Sequence, residues 1–211
     1  MQFGLAINMK RCIGCHTCSM ACKLENNTPN GVWWTQVLTN DGEVGMDVAV
    51  GTFPNTTLDF RPFSCQHCTT PACETVCPTG ATHKDEETGI VLVDSDVCIG
   101  CQACIEACPY QGIGNGVRTY IDGEPEYHLD VALGSAEAVQ HHATTVEKCL
   151  LCYQRTSQGG VPACVETCPQ RARVFGDLDD PNSEISQLIA SEGYELLKED
   201  EGTGPNVYYL K

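Results

Sequence analysis

Apolar residues fall along this chain in short runs that polar and glycine-rich segments separate. Two such runs flank the acidic, glycine-ended segment 85–89, and this arrangement predicts a β-hairpin. Similar runs at residues 3–8, 31–39 and 172–176 predict further short strands. No stretch approaches the roughly 18–20 consecutive apolar residues of a membrane-spanning helix. The pattern therefore predicts short strands and no transmembrane segment.

The C-terminal region carries the pattern of an amphipathic helix. Asp180 is the predicted N-cap, Pro181 the first helical residue and Gly193 the end. The apolar stripe of this helix comprises Ile185, Leu188 and Ile189. The apolar end Val207–Leu210 is predicted to dock against the chain itself or against a partner subunit, because chain ends fray unless they are held.

Sixteen cysteines in 211 residues are far more than an ordinary globular chain carries. They form four groups of four with none left over, and two kinds of group alternate. The first and third groups have the sequences CIGCHTCSMAC and CIGCQACIEAC, whereas the second and fourth end in PACETVCP and PACVETCP. The chain therefore contains an internal repeat.

The spacing C-x2-C-x2-C-x3-C of the first and third groups is that of bacterial ferredoxins. In that arrangement three cysteines hold one 4Fe–4S cluster and the fourth reaches a second cluster. The predicted hairpin joins the second group to the third, so residues 60–112 are expected to form one two-cluster unit. The apolar runs beside Cys12 and Cys168 have the same offsets as those beside Cys98 and Cys77. The first strand is therefore expected to pair with the strand that follows the fourth group, and the first group with the fourth.

This pairing predicts four 4Fe–4S clusters with four cysteine ligands each. The predicted ligand sets are Cys12, Cys15, Cys18 and Cys168; Cys22, Cys149, Cys152 and Cys164; Cys65, Cys68, Cys73 and Cys108; and Cys77, Cys98, Cys101 and Cys104. No proline follows Cys22, so the helical turn that carries it is predicted to continue through the sequence KLENN.

The expected fold class is α+β, with two interleaved bacterial-ferredoxin-like two-cluster units, loop insertions and a C-terminal extension. The predicted segments are a split unit at 1–25 and 145–178, an insertion at 26–59, an uninterrupted unit at 60–112, an insertion at 113–144, and a helix with a docking tail at 179–211. The uninterrupted unit is thus expected to be inserted within the split one.

Secreted disulfide scaffolds and zinc proteins are also rich in cysteine. The N-terminal sequence MQFGLAINMKRC lacks a signal-peptide pattern, and thiols three residues apart suit one shared centre better than a network of bridges. Structural zinc typically uses two cysteine pairs well apart, which these tight groups do not need. Both interpretations are therefore disfavoured. The net charge of −16 argues against binding to nucleic acid or to an anionic membrane surface.

Basic residues and histidines near the cysteines have two possible roles. Seven of the twelve basic residues lie there, where they either solvate the surface or offset the negative charge of thiolate-bound clusters. These seven are Lys10, Arg11, Lys23, Lys148, Arg155, Arg171 and Arg173. His16 and His67, inside cysteine loops, either tune a cluster through a hydrogen bond or are inert. The adjacent His141 and His142 are predicted to be solvent-exposed or at an interface.

The order of the cysteine groups, the eleven-residue gap between Cys152 and Cys164, the segment ARVFGDLDDPNSEISQLI and the closing GTGPNVYYL resemble the iron–sulfur subunits of the dimethyl sulfoxide reductase family. The resemblance covers nearly the whole chain. It implies a small electron-transfer subunit that accompanies a molybdenum- or tungsten-pterin catalytic subunit of a reductase, dehydrogenase or dehydroxylase. In that family the first cysteine group pairs with the fourth and the second with the third. Some relatives replace one cysteine of the third group and hold a three-iron cluster, whereas Cys101 is present here.

The sequence shows no nucleophile, acid–base pair or nucleotide motif of its own, so we expect an electron-transfer protein without an active site. Besides the pterin subunit, a redox donor or acceptor protein or a membrane anchor is the expected partner, and residues near 12–22 or 65–77 are expected to face the partners. The alternative is a polyferredoxin-type carrier, or the electron-transfer subunit of a hydrogenase or formate-oxidising complex. The cytoplasm is the expected location unless the folded chain is exported with a signal-bearing catalytic partner.

Overall fold

The computed structural model describes residues 1–40, 43–44, 49–127, 129, 131 and 133–211. Its strands are β1 (Phe3–Asn8), β2 (Thr35–Thr39), β3 (Glu43–Val44), β4 (Val50–Thr52), β5 (Asn55–Thr57), β6 (Phe60–Ser64), β7 (Thr82–Lys84), β8 (Val91–Val93), β9 (Arg118–Tyr120), β10 (Val146–Lys148), β11 (Arg173–Asp177), β12 (Tyr194–Glu195) and β13 (Val207–Leu210). Its helices are α1 (Thr17–Glu25), α2 (Ala72–Thr75), α3 (Ala103–Glu106), α4 (Tyr153–Thr156), α5 (Ala163–Glu166) and α6 (Glu184–Ser191). Within this part of the chain, no helix has both the length and the apolar character to cross a membrane.

Small sheets and short helices alternate, in agreement with the expected α+β class. The largest sheet has the strand order β11-β1-β13-β12. Strand β1 pairs antiparallel with β11, with Phe3 opposite Asp177 and Ile7 opposite Arg173, so the predicted pairing of these distant strands is confirmed. On its other side β1 pairs parallel with β13, which shows that the C-terminal end docks against the chain itself.

The centre of β1 is buried on both faces because an element covers each of them. Leu5 and Ile7 lie in the main core, whereas Ala6 packs beneath α6 with Ile185. A strand buried on both faces needs a continuous apolar run rather than an alternating one. Full burial of a leucine or isoleucine side chain contributes about 1.5–3 kcal/mol, so this strand is a main source of stability for the fold.

The predicted hairpin is confirmed as β7 and β8, in which Thr82 lies opposite Val93 and Lys84 opposite Val91. Helix α1 continues past Cys22 to Glu25, as the missing proline predicted. Strand β2 begins only at Thr35, four residues into the predicted run. Its antiparallel partner is β6.

The prediction for the start of α6 is wrong. Ser183, not Asp180, is the N-cap, and its side chain accepts a hydrogen bond from the amide of Ser186 at 3.2 Å. Asp180 instead accepts from the amide of Asn182 at 2.8 Å and forms a turn before the helix. The helix ends at Ser191, ahead of Gly193, and its predicted apolar stripe does pack inward.

Two strands, β9 and β10, lie where the sequence pattern showed only turns. They pair antiparallel, with Arg118 opposite Lys148 and Tyr120 opposite Val146. Each has three residues, too few for a recognisable alternation of apolar and polar positions. Their pairing brings two basic side chains into the interior, and both of them lie near cysteines.

Candidate iron–sulfur sites

All sixteen cysteines lie in the described part of the chain as free thiols, and none forms a disulfide. Two of the predicted sets line one cavity each. We number the four sets as site 1 (Cys12, Cys15, Cys18, Cys168), site 2 (Cys22, Cys149, Cys152, Cys164), site 3 (Cys65, Cys68, Cys73, Cys108) and site 4 (Cys77, Cys98, Cys101, Cys104).

Sites 1 and 3 are each a cavity lined by all four cysteines of the set. The cavity of site 1 also contains Arg173 and Val37 in its wall. The cavity of site 3 contains Arg118 and Tyr110. The structure therefore brings together cysteines that are more than 30 residues apart in the sequence, Cys108 with Cys73 and Cys168 with Cys18.

Site 2 is the most deeply buried of the four sets. Burial raises the pKa of Cys22, and the neighbouring thiols of Cys149 and Cys164 raise it further. The side-chain amide of Asn26 lies 3.7 Å from the sulfur of Cys22 and 4.0 Å from that of Cys152, and it can donate to either. Cys22 from the first group thus lies among the cysteines of the fourth group.

Site 4 is partly open. Burial raises the pKa of Cys104; Arg118 lowers it, and the thiols of Cys73 from site 3 and of Cys98 and Cys77 add to the increase. Cys104 therefore lies near Cys98 and Cys77 of its own set and also near Cys73 of site 3. Cys101 occupies the exposed tip of the same loop, and no described contact joins its side chain to the other three.

The loops that carry the first cysteines of sites 1 and 4 share one backbone geometry. Gly14 and Gly100 have φ values of +67° and +64°, and a Cβ atom would lie 2.3 Å from the Phe60 ring or 2.2 Å from the carbonyl oxygen of Thr144. Only glycine fits both positions. His16 and its counterpart Gln102 are also left-handed, with φ of 57° and 61°. Successive backbone N–H groups in turn conformations form concavities that bind anions and iron–sulfur clusters.

The donor sets fit a cluster better than a single ion. One zinc ion draws four ligands to about 2.0–2.3 Å from a common centre. Among the described residues, no three Cys, His, Asp or Glu side chains are close enough to hold one metal ion together. A cubane places four irons between its thiolates and therefore needs cysteines that surround a cavity, and sites 1 and 3 are cavities lined by four cysteines each.

Buried N–H donors beside the cysteines fit the same group. One guanidinium nitrogen of Arg173 donates to the sulfur of Cys164 at 3.1 Å. The Nε and Nη2 atoms of Arg173 and Arg118 are buried without a protein partner in the described chain. An unpaired buried donor costs about 1–3 kcal/mol, and the sulfides and thiolates of an anionic cluster are suitable acceptors.

Iron binding at these sites should depend strongly on pH, because it requires the cysteine thiols to ionise. Burial raises the pKa of Cys68 to about 11 and that of Cys108 to about 12, above the ordinary value near 8.5. At neutral pH the free thiols are therefore protonated. Metal binding requires the thiolate, so iron–sulfur assembly releases protons from these residues.

The histidine predictions have mixed outcomes. His67 is 1% exposed, and its Nδ1 accepts from the amide of Val91 at 3.3 Å. Burial, together with Lys148, holds its pKa well below the usual range, so His67 is neutral. The prediction for His141 is wrong, because its side chain is 2% exposed and lies 2.6 Å from Glu147. The prediction for His142 is confirmed, with 45% of the side chain exposed.

The sequence analysis missed Arg118 as a residue of the site. It lies ten positions beyond the nearest cysteine, in a segment assigned to an insertion, yet it is 2% exposed and lines the cavity of site 3. Asn26 was missed for a similar reason. The available signal for Arg118 was its place between the apolar residues Val117 and Ile121.

The four sites form a row in which neighbouring sites share a buried contact region. Sites 1 and 2 meet where Cys18 packs with Cys164, around Val37. Sites 2 and 3 meet in a cluster that contains Cys149, Cys65 and Trp34. Sites 3 and 4 meet where Cys73 and Cys104 pack with Val91. The order along the row is therefore site 1, site 2, site 3, site 4.

The two ends of this row are the loops of Cys15 and Cys101, and both cysteines are open to solvent. The expectation that residues near 12–22 or 65–77 face the partners stays a prediction. In the second of these segments Cys65 and Cys73 are each 8% exposed, whereas Val76 is 40% exposed.

Known proteins resemble this chain over nearly its whole length. The family described as "4Fe-4S dicluster domain" matches residues 56–119 and 135–178, and a second family of the same description matches residues 11–81. A protein of Halobacterium salinarum that carries the name of a dimethyl sulfoxide reductase iron–sulfur subunit is 40% identical over 99% of this chain and 79% of its own length. The arsenate respiratory reductase iron–sulfur subunit of Shewanella sp. strain ANA-3 is 37% identical over 100% of this chain and 97% of its own. A selenate reductase subunit of Mesobacillus selenatarsenatis is 39% identical over 100% of this chain and 72% of its own.

Two dicluster domains define an iron–sulfur electron-transfer protein with four 4Fe–4S clusters. The chain belongs to the iron–sulfur subunits of the molybdopterin oxidoreductase family. It is a non-catalytic electron-transfer subunit.

Proposed function

We propose that this chain relays single electrons between a molybdopterin catalytic subunit, with molybdenum or tungsten, and a second redox partner. The observation that carries the proposal is the row of sites, in which cysteines of neighbouring sets pack directly against each other at three buried junctions. Bound 4Fe–4S clusters supply one-electron redox chemistry. The chain fixes their order and separation and excludes water from the junctions.

Within this proposal, the four cysteines of each site are the ligands of one cluster. The shared cavities support this assignment for sites 1 and 3, and the mutual influence of the thiols supports it for site 2. For site 4 the support comes from Cys77, Cys98 and Cys104. Cys101 is assigned by the spacing of its loop, which repeats that of Cys15 in site 1.

The two ferredoxin-like units are proposed to interleave, with residues 60–112 inserted between 1–25 and 145–178. The strand registers support this arrangement. Ile7 pairs with Arg173, and Val93 pairs with Thr82. Each of these four residues lies five positions from the nearest cysteine of its own group, so the two strand pairs have the same register relative to the repeat.

Sites 1 and 4 are proposed to face different partners because they lie at opposite ends of the row. One partner is the catalytic subunit, and the other is a redox donor or acceptor protein or a membrane anchor. The exposed loops of both sites present an isoleucine beside the exposed cysteine, Ile13 and Ile99, at 54% and 63% exposure. An apolar side chain beside an exposed thiolate suits a contact that excludes water.

The test is a metal analysis of the protein purified anaerobically from its native cell together with the proteins it binds. We expect about sixteen irons per chain with molybdenum or tungsten in a co-purified larger subunit. Sixteen irons with neither metal in any bound protein would contradict the molybdopterin partner and favour a free carrier or a hydrogenase subunit.

A further inference from the structure

Three basic side chains are buried in this protein, although lysine and arginine are almost never fully buried unless they are paired. All twelve Lys and Arg residues lie in the described part of the chain, and nine of them are at least partly exposed. The three exceptions are Lys148 at 1%, Arg118 at 2% and Arg173 at 3% exposure. None of the three forms an ion pair with a carboxylate in the described chain.

Arg173 lies at the junction of sites 1 and 2. It lines the cavity of site 1 and donates to Cys164 of site 2 at 3.1 Å. Burial alone would lower the pKa of Arg173, but the thiols of Cys164 and Cys18 raise it. One cation therefore interacts with a cysteine from each of the two sites.

Lys148 lies at the junction of sites 2 and 3. Its ammonium group donates to the carbonyl oxygens of Val91 and, at 2.9 Å, of Cys149. Lys148 also lines a cavity with Trp34, which packs in one buried cluster with Cys149 of site 2 and Cys65 of site 3. The ammonium group is thus held by neutral carbonyl groups between the two cysteine sets.

Arg118 lies at the junction of sites 3 and 4. It lines the cavity of site 3. Burial opposes its charge, but Cys73 of site 3 and Cys104 of site 4 hold the pKa of Arg118 above its usual range. Its Nη1 donates to the hydroxyl of Thr82 at 3.4 Å, and its Nε and Nη2 have no protein partner in the described chain.

Arg118, the cation at the junction of sites 3 and 4, comes from a segment outside the cysteine repeat. Thr82 occupies the position in the uninterrupted unit that Arg173 occupies in the split unit, five residues after the last cysteine of its group. The repeat therefore has a neutral residue there, and Arg118 reaches the same place from an insertion. Two different segments thus supply a positive charge at equivalent junctions.

We propose that each junction between neighbouring cluster sites contains one buried cation, Arg173, Lys148 or Arg118, which sets the reduction potentials of the two clusters that adjoin it. Reduction adds one electron to a cluster, and a nearby positive charge in a low-dielectric interior favours the reduced form. When an electron passes, one cluster is oxidised and its neighbour is reduced by one electron, and no bond to the cation forms or breaks. This inference rests on the ligand sets and the order of sites proposed above.

The experiment is a potentiometric titration of the anaerobically purified complex, followed by electron paramagnetic resonance. We expect Arg173→Gln to lower the midpoint potentials of the clusters at sites 1 and 2, with those at sites 3 and 4 unchanged. Arg118→Gln is expected to lower those at sites 3 and 4 instead, and Lys148→Gln those at sites 2 and 3. Arg173→Lys keeps the charge and is expected to keep the wild-type potentials.

The matched control is Arg171→Gln, because Arg171 is even closer than Arg173 to Cys168 in the sequence but is exposed. It is expected to shift no potential. A second test is the double variant Thr82→Arg with Arg118→Gln, which moves the cation to the position used by the split unit and should restore the potentials at sites 3 and 4.

Each outcome decides the proposal. Equal shifts at all four sites, or no shift in the glutamine variants, would overturn it. If a glutamine variant fails to load iron, Arg173→Lys becomes the test of the proposal. A lysine variant that also fails to load iron would show that positive charge is not what the junction requires. Wild-type protein without four clusters would contradict the proposed ligand sets themselves, so the two failures are distinguishable by iron content.

Discussion

The end sites 1 and 4 and the inner sites 2 and 3 differ in their access to solvent, and they take three of their four cysteines from different kinds of group. Cys15 and Cys101 are exposed at the ends, with Ile13 and Ile99 beside them. In the inner sites seven of the eight cysteines are no more than 9% exposed; they are Cys22, Cys65, Cys68, Cys73, Cys149, Cys152 and Cys164. The two kinds of cysteine group therefore lie in different surroundings: the C-x2-C-x2-C loops reach the surface at the ends of the row, and the other two groups lie in the interior between them.

The largest expected difference between inner and end sites is in the loss of iron and of stability when one cysteine ligand is removed. Cys149→Ser should lose the four irons of site 2 and destabilise the fold, because Cys149 packs in a buried cluster with Trp34 and Val32. Cys101→Ser should keep the fold and lose about one iron, because the exposed tip is not part of a core and the other three cysteines of site 4 are unchanged. Iron analysis and thermal unfolding measure both effects. Equal losses in the two variants would contradict the comparison.

The exposed isoleucines of the two end loops, Ile13 and Ile99, should affect electron exchange with partners but not the binding of the clusters. Ile13→Glu and Ile99→Glu each place a charge on a surface that is proposed to exclude water, and each should slow electron exchange with one partner about tenfold, equivalent to about 1.4 kcal/mol. Iron content should not change. Stopped-flow measurement with the isolated catalytic subunit should show the slower exchange in one of the two variants, and measurement with the second redox partner should show it in the other.

The control for this prediction is Val50→Glu, which changes an apolar side chain of 56% exposure in β4. It should leave both exchange rates at the wild-type value. A loss of exchange in the control, or unchanged rates in both isoleucine variants, would remove the proposed role of the two isoleucines.

The two end loops should differ in their tolerance of a methyl group. In Gly100→Ala the new Cβ meets a backbone oxygen, whereas in Gly14→Ala it meets the Phe60 side chain, which can move. We expect destabilisation of about 1–3 kcal/mol for Gly100→Ala and less for Gly14→Ala. Gly123→Ala has a similar φ of +77° with nothing within 4 Å, so it isolates the backbone strain from the clash. Thermal unfolding of the three loaded variants gives the order, and a Gly123→Ala loss equal to that of Gly100→Ala would contradict the role of the clash.

The pH dependence of thermal unfolding should show a smaller effect, which comes from the buried pair His141 and Glu147 near site 2. Burial would lower the pKa of His141, but the hydrogen bond and charge of Glu147 raise it above the ordinary value. A raised folded-state pKa means that the stabilisation is fully present below about pH 6.5 and is lost as the pH rises through the folded value. His141→Gln should remove this part of the pH dependence of thermal unfolding. His142→Gln changes an exposed neighbour and should retain it; the reverse pattern would show that the buried pair is not the titrating group.

The repeat in the sequence was enough to predict the pairing of distant strands, because equal offsets from the cysteine groups imply equal registers. It could not predict Arg118, whose role depends on a three-residue strand that pairs across the insertion. The start of α6 was misplaced because Asp180 and Ser183 are both good N-caps, and the choice depends on a turn that Asp180 makes with Asn182. The sequence therefore predicted the parts of the fold that follow the repeat. It did not predict features that depend on contacts between distant segments or on a choice between two equally good N-caps.

The burial of His141 shows the same limit. Two adjacent histidines in a polar segment gave no sign that one would lie inside. The side chain of His141 is buried because Glu147 and the carbonyl oxygen of Asn26 satisfy both of its ring nitrogens, at 2.6 and 2.8 Å. These partners come from segments that the sequence pattern did not bring together.

The most direct test of the account is a reductive titration of the anaerobically purified complex, with electrons, iron and acid-labile sulfide counted per chain. The account predicts four one-electron centres in this chain, with about sixteen irons and sixteen sulfides. Fewer than four reducible centres in a chain of full iron content, or zinc in place of iron, would contradict it.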